Sequence, residues 1–135
     1  MRVLWFTNTN SLYKKSDTSY NGGGWIESLE QIISKTDDVE LAVGFFYVDK
    51  YFKVKQGETT YYPISIYNSK IKKVLHNLFY SKYDKIEIDY YLKIIEDFKP
   101  DIIHIFGSEQ SFGLITTETK IPVVIHLQGI LNPCL

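Results

Sequence analysis

Four short, mostly apolar segments alternate with stretches of helical periodicity, and this alternation constrains the fold more than any other feature of the chain. The segments lie at 3–6, 39–47, 101–106 and 123–126. A strand that is apolar on both sides must be covered on both faces, which is typical of parallel sheets with helices above and below. The pattern therefore predicts an α/β fold built on a doubly wound, mostly parallel sheet.

The stretches between the strands have the apolar spacing of amphipathic helices. The first helix is predicted over 24–35, and Glu30 lies outside its apolar stripe. That stripe consists of Trp25, Ile26, Leu29, Ile32 and Ile33. Two further helices are predicted over 70–80 and 86–98, and Pro100 ends the second of them. The buried positions predicted for the helix over 86–98 are Ile88, Tyr91, Leu92, Ile95 and Phe98.

A hairpin is predicted near 51–66, after the second strand. Its two arms are 51–54 and 59–66, Gly57 lies in the turn, and Pro63 indicates a position at the edge of the sheet. A short helical segment over 111–118 precedes the last strand. With 135 residues, the chain is long enough for a single core, and 1–135 is predicted to be one domain.

Composition and charge exclude several classes of function. The net charge is −1 and no block of basic residues is present, so nothing indicates a nucleic-acid partner. An internal disulfide is excluded because Cys134 is the one cysteine. The apolar run at the start is too short for a secretory signal, and none approaches the roughly 20 residues that span a bilayer. We therefore expect a cytoplasmic protein, and no residues have the spacing of metal ligands.

Lysines cluster on the helix predicted over 70–80 and just beyond it, at Lys70, Lys72, Lys73 and Lys82. A solvated lysine face over an ordinary apolar stripe is the favoured interpretation. Peripheral contact with an anionic membrane surface is the alternative.

Polar and small residues follow three of the predicted strands. In open parallel sheets, ligands bind beyond the carboxyl ends of the strands, so these positions predict a cleft along one edge. The residues are Thr7, Asn8, Gly22, Gly23 and Gly24 after the first strand, Gly107, Ser108 and Glu109 after the third, and His126, Gln128 and Gly129 at the last.

The glycine run at 22–24 opens the first helix. Unpaired backbone N–H groups and the positive end of the helix dipole make such a place a site for phosphate or another anion. The bland alternative is a flexible loop end joined to a helix. The run matches neither the dinucleotide fingerprint nor a Walker-type loop. The polar loop before it, 8–21, is long enough to be either functional or mobile.

Three single residues are candidates for chemistry. His104 lies inside an apolar strand, where a histidine is more often a satisfied core residue. His126 ends the last strand. At that position, contact with a ligand and a purely structural role are about equally favoured. Glu109 either accepts hydrogen bonds from a sugar hydroxyl or acts as a base, or it complements the dipole of the helical segment that follows.

The order of four segments resembles the N-terminal domain of family-4 glycosyltransferases. The segments are MRVLWFTN, GGGWIESLEQ, KPDIIHIFGSE and IPVVIHLQG. These enzymes retain the anomeric configuration and have the GT-B architecture, in which two Rossmann-like domains face each other across a cleft. The resemblance covers the chain from its start to about Pro133, and it implies that the sheet is one Rossmann-like half of such an enzyme.

The resemblance also implies residue roles. Gly22, Gly23 and Gly24 would approach the diphosphate of the donor, and His126 would face the transferred sugar or the phosphate, as the catalytic candidate. The acceptor side would comprise Asn8, Ser108 and Glu109, the first of them in the polar loop where the family has its acceptor-recognition segments. No cofactor is implied.

The implied activity is sugar transfer from a nucleotide-sugar to a saccharide or lipid-linked acceptor. In that family the donor sits mainly on a C-terminal domain, and we expect that domain to be absent here and the chain alone to be inactive. The exposed interdomain face would then favour self-association. The rival interpretation is a stand-alone Rossmann-like module that binds a nucleotide or anion, and a purely structural partner domain is a third.

Overall fold

A computed structural model of the protein describes residues 1–14, 24–66 and 80–127, with the side chains of 80–83 left aside. In chain order the elements are β1 (Arg2–Phe6), α1 (Gly24–Ile33), β2 (Glu40–Phe46), β3 (Val54–Gln56), β4 (Thr59–Ile64), α2 (Tyr80–Phe98), β5 (Ile102–Phe106), a 3-10 helix (Ser111–Thr117) and β6 (Val123–His126). The helix predicted over 70–80 lies outside the described residues except for its last position. Within the described ranges, no helix has the length and apolar character needed to cross a membrane.

The strands form one six-stranded sheet in the order β3-β4-β2-β1-β5-β6. Every neighbouring pair is parallel except β3 with β4. The predicted α/β fold with a mostly parallel sheet is therefore confirmed, and its strand order is compatible with a Rossmann-like fold. From β1 the chain first adds β2 and β4 on one side and then β5 and β6 on the other. The order reverses between β1 and β5, which is where such sheets open a crevice at their carboxyl ends.

Both faces of the sheet carry a buried core, as continuously apolar strands require. The core on the α1 face consists of Val3, Trp5, Tyr13, Ile26, Leu41, Val43, Phe45, Tyr61 and Phe106. The core on the α2 face is larger and consists of Leu4, Phe6, Ala42, Tyr62, Ile64, Tyr91, Ile94, Ile95, Phe98, Ile103, Ile105, Phe112 and Ile115. Alternate residues of β1 thus point to opposite faces, and the sheet is doubly wound.

Helix α1 begins at Gly24 as predicted, and its predicted buried face is confirmed for Ile26, which is buried, and for Leu29 and Ile33, which pack against the core. The prediction was wrong for Trp25, which is 47% exposed, for Ile32 and for Glu30. Ile32, assigned to the apolar stripe, is 67% exposed, whereas Glu30, assigned elsewhere, is 1% exposed. The buried face follows the helical spacing from Ile26 to Glu30 instead. The carboxylate is tolerated inside because three donors from distant segments bind it, as described below.

Helix α2 begins six residues earlier than predicted, at Tyr80 instead of position 86. Tyr91, Ile95 and Phe98 are buried as predicted. The helix ends at Phe98, before Pro100, and Lys99 takes a left-handed conformation with φ 53°. The prediction missed Glu87 and Ile94, which are buried, while Ile88 and Leu92 are only partly covered.

The predicted hairpin is present as β3 and β4, joined by a turn in which Gly57 has φ 59°. Its first arm starts at Val54, later than predicted. The edge position inferred from Pro63 was wrong for β4 as a whole, because β4 lies between β3 and β2. However, β3 pairs only with Thr59–Tyr61. Pro63 therefore faces no outer strand, which is where a residue without an N–H can be accommodated.

Candidate functional site

The start of α1 lies over the ends of two strands at the carboxyl edge of the sheet. The ring of Trp25 is 5.3 Å from that of Phe106, the last residue of β5. The same ring is 5.2 Å from that of His126, the last residue of β6. The first turn of the helix and two strand ends therefore meet beside the point where the strand order reverses.

The backbone joins the end of β6 to the segment after β5. The amide N of Gly107 donates to the carbonyl O of His126 over 2.8 Å. Gly107 has φ 90°, and the carboxylate of Glu109 folds back over its Cα, into the space that a Cβ would occupy. Ser108 and Glu109 are both exposed, so their oxygens are accessible at this edge.

The structure thus brings together several of the residues that the sequence singled out. Gly24, Ser108, Glu109 and His126 lie at the same carboxyl edge, and Asn8, exposed, follows β1 at that edge. Gly22, Gly23, Gln128 and Gly129 lie outside the described residues. The structure therefore shows where some of the predicted site residues lie, and the roles assigned to all of them stay predictions.

Aromatic rings run from the core to this surface without a break. Trp5, 1% exposed, packs edge-on against Phe106 with 5.0 Å between centroids. Phe106 stacks on His104 at 4.0 Å. His104 in turn lies parallel to His126, with centroids 5.9 Å apart. Such contacts fix ring orientations more tightly than aliphatic packing does, so the exposed rings at the end of the series rest on a rigid base.

His104 is not the satisfied core histidine that its apolar surroundings suggested. Its Nε2 is shielded from solvent and has no hydrogen-bond partner among the described residues. Burial, and secondly the nearby His126, lower the pKa of His104. A neutral imidazole results at pH 7, so His104 contributes a flat uncharged ring behind His126.

The residues that follow a strand at this edge are called its exit. In the described part of the exit after β1, residues 11–13 form internal hydrogen bonds. The buried carboxylate of Glu30 accepts hydrogen bonds from the Ser11 hydroxyl, the Leu12 amide over 3.2 Å and the Tyr61 hydroxyl. Three donors surround one charge, which is the condition under which a buried carboxylate is tolerated. Burial, and secondly the bond to Glu30, raise the pKa of Tyr61, so the phenol remains a donor.

A second carboxylate holds the end of this loop. Asp49 Oδ2 accepts from the Tyr13 hydroxyl and from Lys14 Nζ, each over 2.6 Å, and Oδ1 accepts from the Lys50 amide over 2.7 Å. The Lys14 ammonium and then the Tyr13 hydroxyl hold the pKa of Asp49 well below its usual range. Sequence reasoning found neither Glu30 nor Asp49, because their partners come from other segments of the chain.

A third polar cluster lies where α2 meets the 3-10 helix. The hydroxyls of Tyr91 and Ser111 are 2.7 Å apart. Glu87, one turn earlier on α2, is 2% exposed. Burial raises its pKa, and hydrogen bonds from Ser111 and Tyr91 partly offset that rise. The cluster pins the segment after β5 to α2 and is too deeply covered to meet a ligand.

No other feature of the described residues is a stronger candidate for a ligand site than the carboxyl edge of the sheet. No three His, Cys, Asp or Glu side chains within 1–14, 24–66 and 80–127 are grouped to hold a metal ion. A depression of about 450 Å³ lies at the opposite, amino-terminal edge. Charges of both signs line it, namely Arg2, Lys35, Asp37, Asp38, Glu40, Lys55 and Glu58. None of the sequence-predicted site residues lies there.

None of the protein-family models, curated proteins or solved structures compared with this chain matches it. The function is therefore argued from the geometry of the carboxyl edge.

Proposed function

We propose that the chain is the acceptor-side, N-terminal half of a GT-B glycosyltransferase that moves a sugar from a nucleotide-sugar to a saccharide or lipid-linked acceptor. The observation that carries the proposal is the meeting of the α1 start with the ends of β5 and β6, beside the reversal of strand order. Ligands of open α/β sheets bind at that place. The order of the segments that resemble the glycosyltransferase family points to the same edge.

Each candidate residue has a chemical part in this proposal. The backbone N–H groups of the glycine run, Gly22, Gly23 and Gly24, approach the donor diphosphate, and of the three Gly24 is the described residue that begins α1. His126, exposed at the end of β6, lies near the reacting centre, where its imidazole holds or moves a proton. Ser108, Glu109 and Asn8 bind acceptor hydroxyls. Retention of anomeric configuration is part of the proposal through the resemblance alone.

The proposal assigns most of the donor binding to a separate domain. A leaving diphosphate is stabilised by preorganised donors in a site closed to water. The described edge is one wall of a site, and no atom of the described residues lies within 4 Å of the place where a Cβ of Gly24 would be. A second wall from a C-terminal donor domain would complete the site, and this chain alone is then inactive in transfer.

A stand-alone nucleotide- or anion-binding module is the second candidate. The first turn of α1 favours it, since the N–H groups at a helix start accept an anion without help from another domain. This candidate differs from the first in affinity, because a complete module binds its ligand tightly.

Calorimetry and NMR on the 135-residue chain separate the two candidates. The half-enzyme proposal expects no micromolar binding of nucleoside diphosphates or nucleotide-sugars. At millimolar ligand, shifts should appear in residues 24–27, 107–109 and 126, and His126→Ala should weaken them. Lys120→Ala, an exposed change away from this edge, is the matched control and should leave them intact.

Three outcomes would count against the half-enzyme. Micromolar binding by the chain alone favours the binding module, and sugar transfer by the chain alone contradicts the need for a second wall. Shifts confined to the depression at the amino-terminal edge would place the ligand elsewhere and remove the basis for both candidates.

A further inference from the structure

We infer that Trp25 and His126 form a platform on which the ring of a neutral sugar stacks. The inference rests on the proposed function and deepens it, because it names the residue that binds the sugar ring and the chemistry of the ring it takes. Trp25 has no part in the roles assigned above.

The exposure of Trp25 is the first observation. Its side chain is 47% exposed, while Trp5 on the same face of the sheet is 1% exposed. An exposed indole beside a strand-end crevice leaves a large apolar surface in water, and such surface marks binding sites when polar groups rim it.

The support behind the ring is the second observation. Phe106, 1% exposed, packs edge-on against the indole at 5.3 Å between ring centroids, and the ring of His126 packs against it at 5.2 Å with a tilt of 48°. The aromatic series continues to His104 and Trp5. Because its neighbours are fixed, Trp25 loses little conformational freedom when a ligand covers it, which favours binding.

The polar groups around the platform suit a sugar. A pyranose has a face of C–H groups and a rim of hydroxyls, so it needs an apolar surface together with hydrogen-bonding oxygens at its edge. The hydroxyl of Ser108 and the carboxylate of Glu109 are exposed on the segment whose backbone is bonded to His126. Carboxylates accept hydrogen bonds strongly from hydroxyls.

The charges of the side chains at this edge favour a neutral sugar ring over a phosphate group. Over the described residues 7–14, 24–27, 107–110 and 126–127, the one Lys or Arg is Lys14, and its ammonium is bonded to Asp49 over 2.6 Å. The same residues include the carboxylates of Glu27 and Glu109. A diphosphate would meet backbone N–H groups there but no available lysine or arginine, whereas an uncharged sugar meets no repulsion.

The test uses the two tryptophans of the chain as internal reporters. Their indole N–H signals are assigned in a ¹⁵N NMR spectrum with Trp25→Phe, and the protein is titrated with methyl glycosides of glucose, galactose, mannose and N-acetylglucosamine. At least one glycoside should shift the Trp25 signal with millimolar affinity and leave the Trp5 signal in place. Uridine and uridine diphosphate are titrated in parallel.

Variants give the expected size of the effect. Trp25→Ala should weaken the glycoside about tenfold, since an aromatic contact of this kind is worth about one order of magnitude in an equilibrium constant. Trp25→Phe keeps a ring and should lose less. Ile32→Ala removes a 67% exposed apolar side chain from the same helix and should bind as the parent does. An unchanged Trp5 signal shows that each variant is folded.

Three results would overturn the inference. No response of Trp25 to any glycoside, or equal binding by Trp25→Ala, rules out the sugar platform. A response to uridine alone makes the ring a base platform, which contradicts the inference but leaves the nucleotide-sugar transferase standing. Failure of the proposed function is seen separately, as micromolar nucleotide binding or as transfer by the chain alone.

Discussion

Two exits at the same edge of the sheet are built in opposite ways. After β1, within the described residues, Ser11 and Tyr13 are buried and donate to Glu30 and Asp49. After β5 and β6, the residues Ser108, Glu109 and His126 remain exposed. The sequence of both exits is polar, but one forms internal hydrogen bonds and the other keeps its groups at the surface.

The difference separates groups that stabilise the fold from groups that are free to bind. Removing one partner of a buried hydrogen bond lowers stability, because the other partner then has neither its bond nor a water molecule in its place. An exposed group loses little when it is replaced. Substitutions of the buried residues at the β1 exit should therefore lower stability, whereas substitutions of exposed residues, at the β5 and β6 exits and at Asn8, should mainly affect ligands.

The largest expected effect is at Glu30. Glu30→Ala leaves the Ser11 hydroxyl, the Leu12 amide and the Tyr61 hydroxyl without their acceptor, and should cost about 3 kcal/mol in the free energy of unfolding. Glu30→Gln keeps one acceptor and should cost less. Urea denaturation measures both. Gln31→Ala, exposed on the same helix, is the matched control and should stay within about 0.5 kcal/mol. Equal losses at both positions would contradict the distinction.

A smaller loss of stability is expected when Gly107 is replaced, because its backbone conformation sets the turn after β5. Its φ of 90° is unfavourable for alanine, and its added Cβ would displace the Glu109 carboxylate. Gly107→Ala should cost about 1–2 kcal/mol in urea denaturation. Gly24→Ala is the comparison, since its Cβ enters open space at the start of α1, and should leave stability unchanged within about 0.5 kcal/mol. A tolerated alanine at Gly107 would mean that the turn after β5 has no fixed shape.

The pH dependence of stability tests the Asp49 contacts. The pKa of Asp49 is lowered in the folded protein by Lys14 and Tyr13, so its carboxylate stabilises the fold above the unfolded value of about 4. That contribution is lost as the pH falls below about 4 towards the folded-state pKa. Asp49→Asn should therefore have a urea midpoint that falls less steeply between neutral pH and pH 3 than that of the parent protein.

The same experiment contains its own reference. The pKa of Asp97 is also lowered, by Lys53 and Tyr62, and this carboxylate is present in both proteins. The acid loss that remains in Asp49→Asn is assigned to such groups, and the difference between the two curves to Asp49. Curves that run parallel would show that the Lys14 and Tyr13 bonds do not form in solution.

The sheet was predictable from the sequence because its signal is local. A run such as 3–6 is apolar at consecutive positions, which requires only that the strand be covered on both faces. The polar exits were predictable for the same reason, since residues that follow a parallel strand lie at its carboxyl end. Ser108, Glu109 and His126 were placed at one edge on that basis.

The closed exit was not predictable because its contacts are distant in sequence. The acceptor Glu30 is 19 residues from Ser11 and 31 from Tyr61. By periodicity alone, a glutamate on an amphipathic helix belongs to the solvent face, and Ile32 belongs to the core. The tertiary hydrogen bonds reversed both assignments. Pro63 gave a wrong prediction for a similar reason. Because β3 pairs only with Thr59–Tyr61, β4 is an edge strand at Pro63 but not along its whole length.

The smallest effect on stability is expected at His126, and it sharpens the comparison most. Its side chain is exposed and makes ring contacts with Trp25, His104 and Phe106. His126→Ala should change the free energy of unfolding by no more than about 0.5 kcal/mol, while ligand shifts at the edge weaken. His126→Gln keeps a polar group without a ring and separates hydrogen bonding from stacking. A loss of stability as large as that of Glu30→Ala would show that the open exit is also part of the structural framework, and the division between the two exits would fail.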